Sequence, residues 1–132
     1  MKRRSFRHLR PDLKDGHNSA QVGKQLSCHH HVYVVLLDSE VVKDPEVKRE
    51  NPGRDPAKPC LYVGMTGLDP KERFRNHKEG IKSSRYVKRY GLRLLPEFYD
   101  YLNPMPYEVA VRMEEELAED LRRQGFTVTG GH

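Results

Sequence analysis

The chain has 132 residues, 36% of them apolar and 33% charged, with a formal net charge of +5 at pH 7. That length accommodates one compact domain plus a tail and excludes two independent domains; the longest apolar run, Val32–Leu37, is far too short to cross a bilayer. Two cysteines, Cys28 and Cys60, make no disulfide framework, and no apolar signal segment precedes the domain, so the expectation is a cytoplasmic protein with reduced thiols and no membrane partner.

Residues 1–28 read as a basic, flexible arm, and residues 29–132 as the folded domain. Lys2, Arg3, Arg4, Arg7, Arg10, Lys14 and Lys24 face only Asp12 and Asp15 there, and Pro11 and Gly16 interrupt any regular element. Val32–Leu37 is β-branched and aromatic and predicts a buried strand. The polar stretch 40–59, with Pro45, Pro52, Gly53, Pro56 and Pro59, predicts a long loop. Cys60–Val63 predicts a second strand stopped by Gly64. Asp69 as N-cap, Pro70 at the first helical position and Glu72 three residues after the cap predict a helix that ends at Gly80. A short basic helix over 83–90 and a short strand over 92–95 follow. The last long helix starts near Pro104 or Pro106 and ends at Gly125, with Val109, Ala110, Met113, Leu117 and Leu121 recurring at three and four. Residues 126–129 could add an edge strand. The sum is one α/β (α+β) domain.

Charge is segregated within it. Residues 71–93 hold nine Lys/Arg against Glu72 and Glu79, whereas 97–120 hold eight acids against Arg112 alone. The basic segment suits a phosphate backbone, with Lys71, Arg75, Lys78, Lys82, Arg85, Lys88 and Arg89 as the nucleic-acid-binding set. Two solvated helix faces of opposite sign, pairing with each other, explain the charges equally well. Arg73 and His77 lie one turn apart on one helix face; that pair can grip a phosphodiester, and a solvated surface pair is the more common explanation of such spacing. On the wheel of the last helix, Glu114 falls between Leu121 and Ala118 on the core-facing stripe, while Glu115 and Glu116 lie outside it. A carboxylate aimed at the core edge needs a cation or a salt bridge. Cys28-His29-His30-His31 does not close a zinc site, since neighbours along a strand point to opposite faces.

The order His31-Val32-Tyr33, Tyr62-Val63-Gly64, Arg73 with His77, then Ala110 and Glu114 on a later helix resembles the GIY-YIG nuclease family over roughly residues 31–129. The resemblance implies a small three-stranded antiparallel sheet flanked by helices, and a metal-dependent endonuclease that hydrolyses DNA phosphodiester bonds. It implies that Tyr33, Tyr62, Arg73, His77 and Glu114 form the catalytic group. Glu114 would hold Mg²⁺ (or Mn²⁺), Arg73 would steady the scissile phosphate, and Tyr33, with Tyr62 and His77, would orient or deprotonate the attacking water. The chain departs from the pattern twice: His31 stands at the first glycine, and the asparagine after the glutamate helix is missing from Thr127–His132, with His132 the nearest substitute. A non-catalytic nucleic-acid-binding module of the same fold is the alternative, and a protein-interaction domain a third reading. Specificity would come from the arm, the 40–59 segment, a homodimer or a partner protein.

Overall fold

The computed structural model describes residues 27–131, which form an α/β fold around a four-stranded mixed sheet. The basic arm and His132 lie outside the described residues, apart from Ser27 and Cys28. No helix among the described residues is long and apolar enough to cross a membrane.

Strand β1 (His31–Leu37) is the centre of the sheet, and the reason is its composition. Val32, Tyr33, Val34 and Val35 are all buried, so both faces of the strand are covered. Strand β2 (Cys60–Thr66) runs antiparallel to it, pairing His31 with Thr66 at one end and Leu37 with Cys60 at the other. Strand β3 (Gly91–Leu94) pairs antiparallel on the other side of β1, one residue earlier than 92–95. The expected three-stranded antiparallel arrangement is therefore present in β3-β1-β2, and the complete sheet is larger. Strand β4 (Thr127–Gly130) adds to β2 in parallel, with Cys60 opposite Thr127 and Tyr62 opposite Thr129. A parallel neighbour requires a long crossover, and the helices between β2 and β4 supply it.

The expectation of a loop over 40–59 is corrected. Ser39–Lys43 is a 3₁₀ turn and Pro45–Glu50 is helix α1. Asp38 and Asp44 each accept a main-chain N–H at the start of their turn, Pro45 sits at the first helical position, and Val41 and Val47 are buried. The prolines start and stop short helices here instead of preventing them. Asn51, which follows α1, is buried; its side-chain oxygen accepts from Val128 N–H at 2.9 Å, while its amide donates to Val128 C=O at 3.0 Å and Val47 C=O at 2.8 Å. Asn51, with Arg122 donating to Val128 C=O at 3.2 Å, thereby closes the outer edge of β4 as another strand would.

Helix α2 (Pro70–Glu79) starts as expected, with Asp69 accepting from Lys71 N–H at 2.8 Å, and ends at Gly80 with φ +84°. Helix α3 (Arg85–Tyr90) is capped by Ser84. Helix α4 (Tyr107–Arg123) buries Ala110, Met113, Leu117, Ala118 and Leu121, the apolar stripe visible in the sequence, together with Glu114. Each of Met113, Leu117 and Leu121 contributes roughly 1.5–3 kcal/mol by leaving water.

Asn51→Ala leaves the buried Val128 N–H without its partner and Val128 C=O with Arg122 alone. Urea unfolding should show a loss of about 2–4 kcal/mol; a loss under about 0.5 kcal/mol would mean that water serves the edge equally well.

Candidate active site

Strand pairing places Tyr33 of β1 directly across from Gly64 of β2. A Cβ at Gly64 would stand 2.7 Å from both Cζ and Oη of Tyr33 and 2.9 Å from Cε2 of Tyr62, so only glycine lets the two rings lie over this position. Tyr33 and Tyr62 approach with ring centroids 6.1 Å apart. His77, on the third turn of α2, reaches both: its ring lies 6.1 Å from that of Tyr33 and 5.7 Å from that of Tyr62, edge-on to the latter. Tyr33 Oη and His77 Nε2 share a buried hydrogen bond of 2.8 Å. The other ring nitrogen, Nδ1, accepts the main-chain N–H of Ser84 at 3.0 Å.

Arg73, one turn before His77, donates through Nη1 to Ile81 C=O at 3.3 Å and through Nη2 to Lys82 C=O at 2.8 Å. Its charge acts on all three rings. Burial raises Tyr33 far above the ordinary phenol range, Tyr62 adds to that, and Arg73 opposes it. Tyr62 is raised by burial and by the charge of Glu114, with Arg73 again opposing. His77 is lowered to about 4, first by burial and then by Arg73, so its ring is neutral near pH 7.

Glu114 is 7% exposed, and its carboxylate has neither a hydrogen bond nor an ion-pair partner among the described residues. Burial, with the charge of Glu115 added, pushes it up to about 7. The salt bridge that would explain this acid structurally is therefore not made. Across from Tyr62, the buried Thr129 hydroxyl also has no partner among the described residues. The structure thus brings Tyr33, Tyr62 and His77 into contact, with Arg73 close enough to alter the protonation of all three and Glu114 that of Tyr62.

The seven basic candidates are all exposed, but they are not equally available. Lys78 donates to Lys88 C=O at 3.1 Å and Gly91 C=O at 2.9 Å, tying α2 to the end of α3. Arg85 meets Asp44 at 3.3 Å and Glu46 at 3.4 Å, and donates to Tyr86 Oη. These two serve the fold. Lys71, Arg75, Lys82, Lys88 and Arg89 remain outward-facing, Arg89 over the ring of Tyr90. Ser84 and Thr129 are the site residues that the sequence reading missed; a serine before a basic run signals a helix cap, and nothing in its sequence position signals the contact to His77.

Comparison of the chain with protein-family models, with curated proteins and with solved structures finds no match.

The two shifted groups act oppositely on stability. For His77, whose folded value lies below its unfolded one, the unfolded chain binds the extra proton, so stability is lost as pH falls from about 6.5 to about 4. For Glu114, raised from 4.5 to about 7, the folded chain holds the proton, so stability is lost as pH rises through that window. Each effect is on the order of 2–3 kcal/mol. Urea unfolding of Glu114→Gln should expose the histidine slope, and His77→Gln the glutamate slope. Parallel profiles for wild type and both variants would refute the assignment.

Proposed function

We propose that this chain is a metal-dependent endonuclease that hydrolyses DNA phosphodiester bonds, with a site of the GIY-YIG kind. The observation that carries the reading is convergence. Tyr33, Tyr62 and His77 from β1, β2 and α2 lie in contact, the charge of Arg73 acts on all three, and that of Glu114 from α4 acts on Tyr62. Glu114 is a buried acid with no hydrogen-bond or ion-pair partner among the described residues, a feature that costs stability and that packing alone does not reward.

The donor set suits a hard divalent cation held in part by its substrate. No cluster of three or more His, Cys, Asp or Glu side chains able to hold a metal occurs among the described residues. Glu114 alone would therefore bind the ion, with water and a phosphate oxygen completing its shell, as Mg²⁺ commonly accepts. When bound, Mg²⁺ or Mn²⁺ supplies positive charge against the phosphate and acidifies nearby water.

The chain's own residues do the positioning. Hydrolysis joins a water oxygen to phosphorus and breaks one phosphorus–oxygen bond to a sugar. Arg73 donates N–H groups to Ile81 and Lys82 C=O, which fixes the guanidinium plane, and hydrogen-bonds Tyr33, which leaves its remaining donors for phosphate oxygens. Those donors stabilise the charge of the pentacovalent transition state. Burial keeps Tyr33 a neutral phenol in the free protein, so its role there is to orient water against the phosphate; acting as a base would require the added positive charge of ion and arginine. Lys71, Arg75, Lys82, Lys88 and Arg89 supply the salt-sensitive hold on the flanking backbone.

The test is cleavage of supercoiled plasmid and of a branched duplex in Mg²⁺ or Mn²⁺. Wild type should nick or cut, and Glu114→Ala and Arg73→Ala should each lose about 100-fold or more. If wild type binds DNA in a salt-sensitive manner and cuts nothing with any metal, the non-catalytic binding module replaces the nuclease.

A further inference from the structure

The turn between α2 and α3, residues 80–84, is bound to the site at several points. Ile81 and Lys82 offer their carbonyls to Arg73, and Ser84 offers its main-chain N–H to His77 Nδ1. The Ser84 side chain caps α3 by accepting from Tyr86 N–H at 3.2 Å, and it lowers the Tyr62 phenol by hydrogen bonding. Lys82 holds a left-handed conformation, φ +46°, which a lysine rarely adopts. A backbone held against its preference, and joined to three members of one site, is a structural support of that site.

We infer that Ser84 is a positioning residue whose main-chain N–H fixes the tautomer of His77 and so makes that ring a hydrogen-bond donor to Tyr33. The argument is one of donors and acceptors. A ring nitrogen that accepts an N–H carries no proton, so the proton of neutral His77 sits on Nε2. Nε2 lies 2.8 Å from Tyr33 Oη, which must then accept. The hydroxyl proton of Tyr33 is left pointing away from His77, toward the Tyr62 hydroxyl with which it hydrogen-bonds, and His77 is excluded as the group that takes it. The opposite tautomer would turn Tyr33 inward, with its proton consumed by the histidine. This inference rests on the nuclease reading for its consequence, and on geometry alone for the tautomer.

Substitution can separate main chain from side chain. Ser84 has φ −73°, which proline adopts, so Ser84→Pro deletes the N–H at little conformational cost, whereas Ser84→Ala keeps the N–H and deletes the hydroxyl. The imidazole ¹⁵N shifts of His77 should report the Nε2–H tautomer in wild type and Ser84→Ala, and a tautomer mixture in Ser84→Pro. Cleavage should fall about 10- to 100-fold in Ser84→Pro relative to Ser84→Ala. An unchanged tautomer in Ser84→Pro, or its loss in Ser84→Ala, overturns the inference. Should Ser84→Pro fail to fold, the scalar coupling across the hydrogen bond between Ser84 ¹⁵N and His77 Nδ1 decides in wild type, its presence supporting the inference and its absence overturning it. A wild type that cuts no DNA would remove the nuclease reading and leave these spectra to judge the tautomer.

Discussion

The position of Tyr33 opposite Gly64 is the constraint on which the site depends. A residue at the centre of a fully covered strand has no route to solvent on its own, and its aromatic ring normally ends as core. Here the missing side chain at Gly64 opens a hollow in the neighbouring strand, the Tyr33 ring lies across it, and the hydroxyl emerges at His77 instead of in apolar packing. The register of β1 with β2 is in turn fixed by burial on both faces, since a slip of one residue would reverse every side chain. Core packing and site geometry are thus set by the same pairing.

The surrounding groups come at a cost in stability. A histidine kept neutral by burial and a glutamate kept from ionising by burial are both groups that water would solvate better. Their pH dependences run in opposite directions over overlapping ranges, so the wild-type profile conceals each. The two groups differ in their neighbours: the positive charge of Arg73 opposes protonation of His77, whereas the negative charge of Glu115 opposes ionisation of Glu114. The exposed cations of α2 and α3 lie on the chain immediately around this group, while Lys78 and Arg85 hold α1, α2 and α3 together.

Much of this was legible in the sequence because it rests on periodicity and capping. The β-branched run of β1, the Asp69-Pro70 start and Gly80 stop of α2, and the apolar stripe of α4 are local signals, and the helical wheel placed Glu114 on the buried side correctly. The 40–59 segment departs from a loop because a proline after a capping aspartate starts a helix as readily as it breaks one elsewhere. The parallel pairing of β4 was not legible, since four residues ending in a glycine carry no mark of their partner strand. Asn51 and Ser84 escaped because each acts through a tertiary contact, and for Ser84 it is the main chain, identical in every non-proline residue, that makes the contact with His77.

The central claim is that one cation and one phosphodiester meet at these five side chains. It is tested most directly by titrating Mn²⁺ into the ¹⁵N-labelled chain bound to a duplex with uncleavable linkages, and reading paramagnetic broadening residue by residue. The account predicts broadening centred on Glu114 and Tyr62, extending to Tyr33 and His77, and abolished by Glu114→Gln. Broadening centred instead on Glu115, Glu116 and Glu119, which line a surface hollow with Arg112 and Arg122, would contradict it.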